Sequence, residues 1–136
     1  MYQSYHLSHA DAMKIIGVIQ AMLEKEKKGA AIAVTDAQGE LLSFLRTDGC
    51  KLPSITIAIN KAFTAAREQK ESFEVGESSR RQGYPMTNFG DIRYTAWGGG
   101  VPIVHQGQVV GAVGVSGLPE AEDMELARLG ARVIDG

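Results

Sequence analysis

Three consecutive glycines, Gly98 to Gly100, lie between two runs of strand-forming residues in the segment YTAWGGGVPIVHQGQVVGAVGVSG. Glycine weakens a strand, so this run indicates either a turn with positive φ or a place where another group approaches the backbone too closely for a Cβ atom. Their N–H groups could hold a carboxylate or a similar anion. The alternative is a bulge that bends the sheet. The run is not a dinucleotide-binding fingerprint, because a strand follows it rather than a helix. It is not a P-loop either, because no Gly-Lys-Ser/Thr sequence follows it.

A second candidate anion contact is the turn LRTDG at residues 45–49, where Arg46 and Asp48 follow a predicted strand. An arginine can bind a carboxylate through two parallel hydrogen bonds. The alternative is a solvated arginine beside an ordinary Asp-Gly turn. We therefore expect Arg46 and the amides of Gly98–Gly100 to contact the same anionic organic ligand. Ligand pockets are mostly apolar and have few polar groups. We expect the apolar part of the ligand to be covered by the aromatic side chains of Tyr84, Phe89 and Trp97.

No pair of residues in the sequence is an obvious general acid and base. The best catalytic candidates are Asp48 and Lys61, because burial can lower the pKa of a lysine. Lys61 matters only if it faces the same cleft as the anion contacts; otherwise it is an ordinary surface lysine. Cys50 lies at a predicted helix entrance, where its thiolate would be favoured, but no histidine is near it in sequence. The three histidines are His6, His9 and His105. Their spacing matches no metal-binding motif, so no metal site is expected.

The predicted elements follow the order α β β α, a short helix, and then β β β α. Apolar periodicity, glycine and proline place them as follows: a helix between Ser8 and Gly29, a hairpin of residues 30–35 and 40–46, a helix starting near Pro53, a short helix at 74–81, strands at 92–97, 101–105 and 108–115, and a final helix from Pro119. Hairpins dominate, so the predicted fold class is α+β, with one antiparallel sheet of about five strands and helices packed on it.

Length and composition predict one domain spanning residues 1–136, with 44% hydrophobic residues and a net charge of −2. No block of Lys and Arg indicates nucleic-acid binding. No apolar run reaches the ~20 residues needed to cross a membrane, and the N-terminus has no signal-peptide pattern. These features predict a cytoplasmic protein. The single cysteine excludes an internal disulfide.

Aromatic residues beside irregular segments indicate apolar surface that the fold leaves exposed, which predicts a homo-oligomer.

The combination of three segments is more specific than any one of them: VTDAQGELLSFLRTDG, ITIAINKAFTAA and GGGVPIVHQGQVVGAVGVSG, followed by an acidic final helix. Over nearly its whole length the chain resembles the GlcG/HbpS family, which includes the C-terminal domain of PduO-type proteins. The resemblance implies a profilin-like arrangement of one antiparallel sheet with helices, a homo-oligomer, and haem or a small organic carboxylate as ligand. The positions that match the family pattern are Arg46, Asp48, Lys61, Thr64, Gly98, Gly99, Gly100 and Pro102.

The sequence departs from the family pattern in two places. The last Ser-Gly continues with Leu118 and Pro119 rather than with another glycine. The segment 83–97 has its own aromatic character, and Trp97 within it is a candidate ligand contact.

These observations leave two main hypotheses. One is an accessory protein that binds haem or a small organic carboxylate. The other is a small catabolic enzyme that acts without a cofactor on a carboxylate-bearing metabolite in the same pocket. A purely structural oligomer, whose glycines only bend the sheet, is a third.

Overall fold

The computed structural model describes residues 1–134, which form four helices, one short 3₁₀ segment and four strands. In chain order they are α1 (His9–Glu26), β1 (Ala31–Asp36), β2 (Leu41–Arg46), α2 (Ser54–Glu68), α3 (Ser72–Gln82), the 3₁₀ segment Met86–Phe89, β3 (Gly100–His105), β4 (Gln108–Ser116) and α4 (Glu120–Ala131).

The strands form one antiparallel sheet in the order β2-β1-β4-β3. Ala31 in β1 pairs with Arg46 on one side and with Ser116 on the other, while Gly100 pairs with Gly114 further along β4. The end of β2, the start of β1, the end of β4 and the chain entering β3 therefore lie side by side at one end of the sheet. The α+β class is confirmed.

The count of about five strands is wrong by one, because residues 92–97 do not form a strand. The hydroxyl of Thr64 in α2 accepts a hydrogen bond from Thr95 N at 3.0 Å. Its single hydrogen has two acceptors within reach, Asn60 O of its own helix at 2.8 Å and Arg93 O at 3.3 Å, and the shorter distance favours Asn60 O. The backbone N–H of Thr95 is thus bonded to a helix side chain rather than to a neighbouring strand. Ile92, expected on a strand, is fully exposed.

Helices cover both faces of the sheet, and the alternation along β1 separates two cores. Ile32 and Val34 face the larger apolar core formed with α1 and α4. Ala31 and Ala33 face α2, which presents its own alanines. Small residues on both sides let α2 approach the sheet closely: a Cβ atom added to Gly114 would lie 2.1 Å from Ala58 O. Within residues 1–134, no helix combines the length and the hydropathy needed to cross a bilayer.

The aromatic residues of segment 83–97 pack onto α2 and onto each other. Phe89 stacks on Tyr94 with ring centroids 4.2 Å apart, and Tyr94 meets Phe63 edge to face. Tyr84 contacts Phe89 at 6.0 Å, and the Arg93 guanidinium lies 3.9 Å from the centroid of the Phe63 ring. Tyr84 and Phe89 thus form contacts that hold the segment on α2.

We expect the protein to lose stability between about pH 10 and pH 12 because of Tyr94. Burial, together with the Glu68 carboxylate that accepts the phenol hydrogen bond at 2.8 Å, raises the pKa of Tyr94 to about 12. An unfolded tyrosine ionises near pH ~10, so over this window the folded state binds the extra proton, and its advantage falls as pH rises. The Tyr94→Phe variant should lack this part of the alkaline loss in urea unfolding curves. Identical pH profiles for the two proteins would contradict the assignment.

Candidate functional site

Lys61 is the central polar residue of the site. Its side chain is 3% exposed, and its ammonium donates to Val115 O and to Asp123 Oδ2, both at 3.0 Å. A lysine ammonium has three donors, and these two acceptors occupy two of them. A buried charge is tolerated only when it is paired and hydrogen-bonded, so this arrangement fixes the ammonium in one place.

Asp123, in the first turn of α4, completes the pair and is 2% exposed. Its Oδ1 accepts a hydrogen bond from Leu118 N at 3.0 Å. Burial raises the pKa of Asp123, and the adjacent Lys61 charge opposes that rise. The pair connects α2, β4 and α4 at the end of the sheet where the glycine run enters.

The glycine run is explained by close approach of the protein's own atoms. A Cβ on Gly100 would lie 2.1 Å from Lys61 O, and one on Gly99 would lie 2.6 Å from Val115 O and 2.9 Å from Lys61 Nζ. Gly99 also has φ of +124°, a conformation that side chains disfavour. Residues with side chains at these positions would displace α2 and its lysine.

Two of the three glycine amides are bonded to side chains of the protein itself. Gly98 N donates to Glu120 Oε2 at 2.7 Å, and Gly100 N donates to Ser72 Oγ at 2.8 Å. The Gly98 amide therefore holds the carboxylate of Glu120 in α4, whereas the sequence predicted a ligand anion at this run.

An open cavity of about 400 Å³, which we call the Trp97 cleft, lies above Lys61. Its apolar lining residues are Pro53, Ile57, Trp97 and Leu118, and the others are Lys51, Ser54, Lys61, Ser116, Gly117, Glu120 and Asp123. Trp97 is 58% exposed and forms part of the wall. This mixture of an apolar wall and a few fixed polar groups is typical of small-molecule sites.

The first residues of two helices, Ser54 of α2 and Glu120 of α4, line the same cleft. Both helices have proline at the N-cap and no side-chain cap. In α2 the N–H groups of Ser54 and Ile55 donate to the backbone carbonyls of the preceding turn, so this helix contributes its dipole rather than free donors. The positive ends of two helix dipoles add to the charges of Lys51 and Lys61, which favours an anion.

Arg46 and Asp48 line a different depression, of about 330 Å³, together with Thr47, Gly49, Cys50 and Leu52. Arg46 and Gly98 lie at the same end of the sheet but on its two opposite edge strands or their extensions, separated by three strand spacings or about 14 Å. Gly98, Gly99 and Gly100 are not among the lining residues of either depression, although the preceding Trp97 lines the cleft. Asp48 and Lys61, the two catalytic candidates, line different depressions.

The remaining sequence-based candidates have separate positions. Thr64 is fully buried and holds the segment containing Thr95, as described above. Pro102 lies in edge strand β3, where a missing N–H is tolerated, beside another depression lined by Arg128 and Arg132. Trp97 is the one aromatic residue of the segment 83–97 that lines the Trp97 cleft.

Cys50 does not match the activated thiolate expected at a helix entrance. Burial raises the pKa of its thiol, and the Arg46 charge only partly opposes this. The sulfur donates to Lys51 O at 3.3 Å. The thiol form is therefore favoured, which makes Cys50 a weak nucleophile. Among residues 1–134, no three His, Cys, Asp or Glu side chains group in a way that could hold a metal ion.

Sequence reasoning missed Asp123 and Glu120 as site residues. Acidic residues in the first turn of a helix are already explained by the helix dipole, so by themselves they do not indicate a site. The available signal was the buried face of that helix: Asp123 shares it with Leu126 and Ala127, so an acid at this position needed an internal partner.

We expect Lys61→Met to lower the free energy of unfolding by about 3–5 kcal/mol, because it leaves the Asp123 carboxylate buried without its partner. The double variant Lys61→Met/Asp123→Leu should recover most of this loss, since an apolar pair of similar volume is often neutral or better. Lys28→Met removes an exposed ion pair with Glu122 and should have little effect. Urea unfolding of the four proteins tests this. An equal loss in the single and double variants would show that the pair is not the cause.

Comparisons with known proteins agree with this fold. A model of the family described as haem degrading protein HbpS-like matches residues 7–132. The chain is 37% identical over 117 residues to protein GlcG of Escherichia coli strain K12, covering 81% of both proteins. It is 31% identical over 122 residues to an uncharacterized 15.0 kDa protein in the dhaT-dhaS intergenic region of Citrobacter freundii, covering 87% of this chain and 84% of that protein.

Solved structures are similar over the same length. A double mutant of Streptomyces reticuli HbpS superposes with a TM-score of 0.89 at 30% identity, covering all of this chain and 92% of that one. Klebsiella pneumoniae ORFY has a TM-score of 0.89 at 25% identity, with 98% and 93% covered. A complex of PduOC with heme has a TM-score of 0.85 at 21% identity, with 96% of each covered, which shows a common fold. The family match and the GlcG identity together show that this chain belongs to the HbpS-like family, as its sequence motifs implied.

Proposed function

We propose that this protein is an accessory protein that binds a small organic anion in the Trp97 cleft. The observation that carries the proposal is the buried Lys61 ammonium, which lines the cleft and has one donor more than its two protein acceptors use. A ligand carboxylate would accept that third hydrogen bond.

Several other groups support an anion at this position. Lys51 adds an exposed positive charge at the cleft, and α2 and α4 add their positive ends. The apolar side chains of Ile57, Leu118 and Trp97 would cover the organic part of the ligand. The volume of about 400 Å³ lies in the range of small-molecule sites.

Binding is favoured over catalysis in this proposal because the two catalytic candidates from the sequence, Asp48 and Lys61, line different depressions. Lys61 is held by Asp123 in an ion pair, and Asp48 lies in the other depression. Self-association and a cytoplasmic location remain predictions from the sequence.

Trp97 is the single tryptophan of the chain, so its fluorescence reports on the cleft directly. We expect butyrate to change this fluorescence saturably. The folded double variant Lys61→Met/Asp123→Leu should bind butyrate at least ~30-fold more weakly, the range for losing a buried charged contact. Lys51→Ala should weaken binding by a few fold and Lys14→Ala, on the exposed face of α1, not at all.

Arg46→Ala distinguishes this proposal from the hypothesis that Arg46 binds the anion. We expect an unchanged affinity, since Arg46 lines the separate depression. No fluorescence response to butyrate in the wild-type protein, or equal affinity in the Lys61/Asp123 double variant, would reject the Trp97 cleft as an anion site.

Haem binding is a second candidate, supported by the description of the family. The Trp97 cleft does not fit an axially ligated haem, because no His, Cys, Met or Tyr is among its described lining residues. A different depression, of about 590 Å³, is lined by Tyr2, Tyr5 and His6 from the N-terminal segment. These residues include the side-chain types that ligate haem iron, and His6 would be the axial ligand.

A haemin titration followed by the Soret band tests this second candidate. His6→Ala should abolish the absorbance shift, whereas His9→Ala, at the exposed start of α1, should retain it. A shift that survives His6→Ala would place haem elsewhere on the protein.

A further inference from the structure

Glu120 adds a second carboxylate to the Trp97 cleft. It is the first residue of α4, lines the cleft, and accepts the hydrogen bond from Gly98 N at 2.7 Å. The contact joins two wall elements of the cleft, since Gly98 directly follows Trp97. The Glu120 side chain is therefore held in place at the edge of the space that a ligand would occupy.

The two acids of the cleft differ in how their charges are balanced. Asp123 is buried and paired with Lys61 at 3.0 Å, so its charge is largely compensated. Glu120 is an exposed residue whose identified hydrogen-bond partner is a neutral amide. Hydrogen bonding to an amide fixes the carboxylate but does not cancel its charge, so Glu120 contributes a negative potential to the cleft.

The cleft therefore attracts one negative charge of a ligand through Lys61 and Lys51, and it repels a second negative charge through Glu120. A single carboxylate can take the third donor of Lys61 and benefit from Lys51. A second negative charge on the same small ligand would share a cavity of about 400 Å³ with Glu120. Like charges in one small cavity repel each other, and solvent at the open side of the cleft reduces this repulsion without removing it.

We infer that Glu120 is a specificity-determining residue that restricts the cleft to monoanionic ligands, namely monocarboxylates whose remaining part is uncharged. This inference rests on the proposed function, and it names the ligand class for the same site. Dicarboxylates and phosphate monoesters of similar size are the classes that Glu120 excludes.

The test compares ligands of nearly equal size by Trp97 fluorescence. In the wild-type protein, succinamate and butyrate should each bind about tenfold more tightly than succinate, which differs from succinamate by one charged group in place of an amide. This comparison needs no variant, so it holds even if substitutions at the start of α4 impair folding. Equal affinity for succinate and succinamate would overturn the inference.

Two variants assign the discrimination to one residue. Glu120→Gln keeps an oxygen that can accept the Gly98 hydrogen bond but removes the charge, so the succinamate-to-succinate ratio should fall to about one to three. Glu125→Gln makes the same change of net charge on the same helix, at a residue that lines a different groove and not the cleft. Its ratio should stay at the wild-type value.

The possible failures are distinguishable. If Glu120→Gln keeps the tenfold ratio while all three acids still change the Trp97 fluorescence, the role of Glu120 is wrong and the anion site stands. If Glu125→Gln reduces the ratio as much as Glu120→Gln does, the effect is one of overall charge and the inference is overturned. If none of the acids changes the fluorescence of the wild-type protein, the inference falls together with the proposed function.

Discussion

The buried ammonium of Lys61 is the constraint on which the rest of this end of the molecule depends. A buried ammonium requires a counter-charge and hydrogen-bond acceptors, because otherwise the free energy lost in removing it from water exceeds the stabilisation gained by packing. Asp123 supplies the counter-charge from α4, and Val115 supplies a carbonyl from β4. One side chain thereby fixes the relative positions of a helix on one face of the sheet, the sheet itself, and the start of a helix on the other face.

The glycine run follows from the same constraint. For the lysine to reach its partners, α2 must approach the start of β3 and the end of β4 so closely that side chains are excluded at Gly99 and Gly100. The alanines on the facing surfaces of α2 and β1 allow this approach along the rest of the contact. The glycines thus serve the packing of α2 first. Their proximity to a cleft follows from where Lys61 ends.

The cleft is formed where elements distant in sequence meet. The turn before α2, Trp97 and the turn before α4 contribute its walls, and Lys61 contributes its floor. Trp97 is positioned here because Tyr94 of segment 83–97 packs against Phe63 of α2 and Phe89 stacks on Tyr94. The cleft contains charges of both signs: the Lys61 charge is compensated by Asp123, and the Glu120 carboxylate accepts a hydrogen bond from the neutral Gly98 amide. Selectivity for charge is therefore a property of how these elements are assembled.

The sequence by itself determined the α+β class, the first hairpin, four helices and the family, because periodicity, turn residues and motifs are local signals. It predicted a strand at residues 92–97 from β-forming residues, but the Thr95 N–H in this segment donates to Thr64 of a helix instead of to a strand. Only the tertiary structure decided that Arg46 and Gly98 lie on opposite edges of the sheet, and that Asp123 turns inward to meet a lysine 62 residues away. Such contacts depend on the order of strands and the approach of helices, which no local pattern encodes.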